Sequence, residues 1–125
     1  MKYLLDVNCL LACIWSDHVH HPQASKWIAG KELAVCPLAQ LGFLRISTNP
    51  KVRTATMADA RTALGDFLTK NGVEFVAADM PALSSSPAKS EQVTDHYLAD
   101  LAVSKGCKLA TFDTRLKHKA AQVIS

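Results

Sequence analysis

The sequence has no long hydrophobic run. Its opening apolar stretch, Tyr3-Leu4-Leu5, is cut by Asp6, far too early for a signal peptide or a membrane span. Glycine and proline number only five each, which excludes a collagen-like chain, and there is no repeat, linker or low-complexity tract. The four cysteines, Cys9, Cys13, Cys36 and Cys107, match no C-x-x-C or zinc-knuckle spacing. Most stand in apolar surroundings, so they read as buried free thiols in a reducing compartment. Charge of one sign is also scarce: 14 Lys and Arg against 11 Asp and Glu leave +3, which permits a polyanionic partner without requiring one. What remains is a cytoplasmic, non-membrane globular chain of 125 residues, 49% hydrophobic and 20% charged, the size of one domain.

Apolar spacing alternates between strand and helix along the chain. Tyr3–Leu5 reads as a strand, followed by helical spacing at Leu10, Leu11 and Ile14, then at Ala24, Trp27 and Ile28. Leu33–Cys36 is a second strand. Pro37 opens a helix whose expected inward face is Leu38, Leu41 and Leu44, and Thr48-Asn49-Pro50 ends it. A polar basic loop over 51–56 precedes a long amphipathic helix marked by Met57, Ala60, Leu64, Phe67 and Leu68 and closed by Asn71-Gly72. Phe75–Ala77 is a third strand, residues 79–92 a short helix plus loop, and Thr94 or Asp95 the cap of a further helix. Leu109–Phe112 is a fourth strand, and Val123-Ile124 a minimal last one. Such alternation predicts an α/β fold of right-handed parallel βαβ units with helices on both sheet faces.

Two acids, Asp6 and Asp113, follow directly on the first and fourth strands. In an open parallel sheet, ligands bind beyond the carboxyl ends of the strands. Asp95 opens the helix that feeds the fourth strand, and it reaches the same edge if the topology brings it there. Three carboxylates in one place repel one another unless a cation holds them. All-oxygen ligands favour Mg²⁺ or Mn²⁺, and such a site commonly handles phosphate esters. Each acid taken singly has a plainer reading: Asp6 and Asp95 as helix caps, Asp113 as a turn residue.

In order along the chain, Leu4-Leu5-Asp6-Val7-Asn8, the segment Cys36–Pro50, Val93–Ala102 and Leu109-Ala110-Thr111-Phe112-Asp113 resemble the four motifs of PIN-domain ribonucleases of the VapC branch. His20-His21-Pro22 with Trp27 fits the same branch. The resemblance implies one PIN domain over residues 1–125, a three-layer α/β/α sandwich around a mostly parallel sheet of four to five strands. It implies a Mg²⁺- or Mn²⁺-dependent endoribonuclease leaving a 5′-phosphate and a 3′-hydroxyl, the toxin of a toxin–antitoxin pair. Asp6 and Asp95 would be the principal metal ligands, Asp113 would complete the cluster, and Asn8 and Thr111 would support it. The implied partners are RNA, a small VapB-like antitoxin whose C-terminal segment would cover the site, and a second copy of the chain.

The sequence departs from that pattern at Gln40, where the family usually has a catalytic Glu. An amide keeps the shape but loses the charge and cannot act as a general base. Gln40 thus reads as an inactivating substitution, as a variant that works with three acids, or as the mark of a silent PIN module that binds RNA or protein. Asp100 lies about 140° around the helix from Asp95 and is a poor substitute for the missing acid. Arg115, Lys117 and Lys119, just after Asp113, are candidate phosphate contacts; Arg45, where the resemblance places an Arg, is another, and each reads equally as a solvated charge. His18, His20 and His21 lack a Cys or Glu to complete a zinc set, and Trp15 and Trp27 read as packing residues. A receiver-type domain phosphorylated on Asp6 is disfavoured, because no paired acid adjoins Asp6 and no lysine closes the last clear strand.

Overall fold

Strand residues alternate between two cores. Leu5, Leu33, Val35 and Ala110 point to one face of the sheet, and Leu4, Ala34 and Leu109 to the other, as the two-residue period of a pleated strand requires. Both faces are apolar because both are covered. The computed structural model describes residues 1–125. Its strands are β1 (Lys2–Leu5), β2 (Glu32–Val35), β3 (Glu74–Phe75), β4 (Cys107–Thr111) and β5 (Ala121–Val123). Its helices are α1 (Val7–Ile14), α2 (His21–Ile28), α3 (Pro37–Ser47), α4 (Met57–Lys70) and α5 (Val93–Ser104). The sheet is parallel throughout, in the order β3-β2-β1-β4-β5. Side chains from α1 to α4 fill the core on one face, around Leu10, Phe43, Leu64 and Phe67. Tyr97, Leu98, Leu101 and Ala102 of α5 fill the other. The expected α/β/α sandwich is the fold.

Three local expectations are corrected. The inward face of α3 is Ala39, Gly42, Phe43 and Ser47; of the expected leucines, Leu44 packs partly buried against that core, while Leu38 and Leu41 are exposed. Small residues face inward because α3 crosses α1 closely: a Cβ on Gly42 would lie 2.6 Å from Val7 Cγ2. Trp15 fills the remaining space, stacked on Phe43 with ring centroids 5.7 Å apart and donating from Nε1 to Ser47 Oγ at 2.8 Å. Second, residues 79–92 form two single 3₁₀ turns, Ala82–Ser84 and Ser90–Gln92, instead of a helix. The stretch is pinned where Tyr97 donates its hydroxyl to the Met80 carbonyl at 2.6 Å. Third, β3 stops at Phe75 instead of continuing to Ala77.

Candidate active site

The chain leaves β1 through α1 on one side and returns beside β1 as β4 on the other, so β1 and β4 flank the topological switch point of the sheet. Each helix runs back against the strands. The first turns of α1, α3 and α5 therefore collect at the carboxyl edge, where the positive ends of their dipoles favour anions. This topology is what brings Asp95 to Asp6 and Asp113.

Asp6 caps α1: its Oδ1 accepts the Cys9 N–H at 2.7 Å, and its own N–H donates to the Ala110 carbonyl across the strand gap at 3.3 Å. The carboxyl is almost fully buried. Burial raises its pKa to about 7; the Thr111 hydroxyl and the Cys9 N–H oppose the rise, and the charges of Asp95 and Asp113 add to it. Asp95 sits in the first turn of α5 and is not its cap, a position held by Gln92. Burial first, then Asp113, raise its pKa. Asp113 follows β4 by two residues. Its N–H donates to Thr111 Oγ1 at 3.0 Å, and its Oδ1 accepts the Arg115 N–H at 2.9 Å with Arg115 Nε at 3.4 Å. Thr111 is fully buried; its hydroxyl accepts the Asp113 N–H and favours the ionised Asp6 carboxyl. Asp95 and Asp113 thus raise the cost of ionising Asp6, and Asp113 that of ionising Asp95, which is the electrostatic condition a hard cation relieves.

The other candidate residues divide. Asn8 and Arg115 line an open cleft of about 460 Å³ that Asp113 enters. Lys117 and Arg115 line the adjoining cleft. Lys119 is exposed. Gln40 lies one turn into α3 and lines the groove between α3 and α4 with Arg61 and Leu64; its side chain bonds to none of the acids. Arg45 is exposed farther along α3 and lines neither cleft beside the acids. Arg53 of the basic loop is engaged elsewhere, in a two-pronged pair with Asp17 at 2.7 and 3.2 Å and over the Trp15 ring.

Two groups escaped the sequence reading as site elements. His18 and His20 line the Asp113 cleft, with the His20 ring stacked on Phe112 at 4.7 Å and 11°. Their separation from Asp113 in sequence hides this. On α5, Asp100 bridges His96 Nδ1 at 3.1 Å and His118 Nε2 at 2.7 Å. Burial raises the Asp100 pKa, but hydrogen bonds from His118 and Ser85 outweigh it and leave the value lowered. The i, i+4 spacing of His96 and Asp100 was the available signal. The three side chains lie close enough for a metal. However, Ala120 N–H occupies His118 Nδ1 at 3.0 Å, which puts the ring proton on Nε2 facing Asp100. The group is a hydrogen-bonded clamp between α5 and the β4–β5 loop.

The family model described as "PIN domain" matches residues 3–122. The chain belongs to the PIN-domain family. Within it, the chain belongs with the VapC ribonucleases. It is 39% identical to "Ribonuclease VapC38" of Mycobacterium tuberculosis over 95% of this chain and 90% of that protein. It is 33% identical to "Ribonuclease VapC39" of the same organism over 97% and 95%. Among solved structures, VapBC2 from Rickettsia felis, bound to a promoter DNA fragment, matches with a TM-score of 0.66 over the whole of both chains. At 14% identity that match speaks to the fold alone. No helix of this PIN protein is long and apolar enough to cross a membrane, and all four cysteines are free and buried.

Proposed function

We propose that this PIN protein is a divalent-metal-dependent endoribonuclease, the toxin of a toxin–antitoxin pair, acting as a single domain over residues 1–125 in the cytoplasm. The observation that carries the reading is the gathering of Asp6, Asp95 and Asp113 at the β1/β4 switch point. The one ion pair that any of them makes is Asp113 with Arg115, at 3.4 Å. An all-carboxylate donor set fits Mg²⁺ or Mn²⁺. Asp6 and Asp95 would hold the ion, with Asp113 completing the set directly or through water. Bound there, it would polarise a phosphoryl oxygen and make water a stronger nucleophile.

The chain's own residues do the rest. The Cys9 N–H fixes the Asp6 carboxyl, and Thr111 ties Asp6 to the Asp113 backbone, so the ligands are held before the ion arrives. Asn8 faces the same cleft as a hydrogen-bonding support. Arg115, Lys117 and Lys119 would hold RNA phosphates on the loop after β4. The expected partners are RNA, a VapB-like antitoxin and a second copy of the chain.

Gln40 favours a second reading, a silent PIN module that binds RNA or protein. Cleavage of total cellular RNA by the chain as it stands and by Gln40→Glu, with Mn²⁺, Mg²⁺ or EDTA and with Asp6→Ala as control, decides between them. Metal-dependent cutting by the unaltered chain means three acids suffice. Cutting by Gln40→Glu alone means the site is disabled at one position. No cutting by either, with metal still bound, selects the binding module.

A further inference from the structure

The cleft of about 460 Å³ beside Asp113 has an unusual wall for a phosphate site: it is built of rings. His20 lies parallel to Phe112, and the His18 ring follows at 5.8 Å, tilted by 39°. The hydrogen bonds of the two histidines fix what they offer. His18 Nδ1 accepts the His20 N–H at 3.0 Å, so the neutral ring carries its proton on Nε2. His20 Nδ1 lies 2.8 Å from Gln23 Oε1, an acceptor, so in the neutral ring Nδ1 carries the proton and Nε2 offers a lone pair. Neither Nε2 has a partner in the protein. Burial, with His20 and Arg53 nearby, lowers the His18 pKa.

We propose that the ring wall of His18, His20 and Phe112 is a nucleobase subsite, which seats the base next to the phosphodiester held at Asp6, Asp95 and Asp113. The inference rests on the nuclease reading for the position of that phosphodiester. A phosphate has only acceptors, whereas this wall offers one donor and one acceptor beside aromatic faces. A base edge carries both kinds of group, and every base has a face to stack. Arg115, at the same cleft, supplies a cation for the adjoining phosphate.

The test uses the full chain in EDTA, where no cutting occurs, and follows the histidine ring nitrogens by NMR as AMP, CMP or ribose 5-phosphate is added. The nucleotides should shift the Nε2 signals of His18 and His20, and ribose 5-phosphate should not. A labelled ten-nucleotide RNA should bind about tenfold more weakly to His20→Ala, with part of the loss recovered in His20→Phe, which keeps the stack. Equal shifts from ribose 5-phosphate, or RNA binding by His20→Ala within twofold of the unaltered chain, would overturn the subsite. A cleavage assay with Mn²⁺ run in parallel separates the two readings. Base-dependent shifts without cutting leave the subsite standing and sink the nuclease. Cutting whose sites and KM are the same in His20→Ala sinks the subsite alone.

Discussion

Asp6 carries a conflict between stability and function that pH can expose. Its ordinary pKa is 3.8, and in the folded chain burial lifts it to about 7. The folded state therefore holds this proton more tightly than the unfolded state. The resulting stabilisation is complete below pH 3.8 and is lost as pH rises through 7, a swing of at most a few kcal/mol. Asp6→Asn keeps the α1 cap, since Asn caps as well as Asp, and removes the buried charge. Without metal, its Tm should exceed that of the unaltered chain by several degrees at pH 8, and the gap should close near pH 4; calorimetry across that range checks it. Mn²⁺ should raise the Tm of the unaltered chain and leave Asp6→Asn nearly unmoved, because the ion binds only where the carboxylate remains. The same variant should show no metal-dependent cleavage, the usual exchange of activity for stability at a strained site.

At the scale of elements, the α1–α3 crossing is a tight joint near the site. Gly42→Ala would drive a methyl into Val7, at a cost of about 1–3 kcal/mol. Val7→Ala in the same chain should recover most of that loss, and denaturant melts of the two singles and the double measure the coupling. The clamp on the other face predicts a second coupling: Asp100→Asn and His118→Gln should interact by about 1 kcal/mol in a double-mutant cycle, since each removes the same bond. The strand-end acids and the order of elements were legible because apolar spacing and chain punctuation mark them directly. The inward face of α3 was not. Leucines at 38, 41 and 44 form a better apolar stripe than Ala39, Gly42 and Phe43, but a close helix crossing selects for small volume over hydrophobicity. The approach of Asp95 to Asp6 depended on strand order, which spacing leaves open. The meeting of His20 with Phe112, distant in sequence, depended on it too.

Across the whole molecule, the net charge of +3 is modest, so RNA binding should rest on a few local cations instead of a general field. Arg115→Ala should lower the steepness of log Kd against log salt by about 0.7, the share of one phosphate contact on a single strand. Arg45→Ala, on an exposed stretch away from both clefts, should leave the slope unchanged; anisotropy titrations at several salt concentrations compare them. The parallel sheet has a further consequence. Ile124 donates its N–H to the Thr111 carbonyl at 2.8 Å and buries its side chain against the core, so the last residues hold down the very residue that ties Asp6 to Asp113. Asp6 lies near one end of the chain and its two companions toward the other. A chain cut between β4 and β5 would keep all three acids but lose the bond that holds Thr111 from the β5 side, so the acids should stay together while their backing loosens.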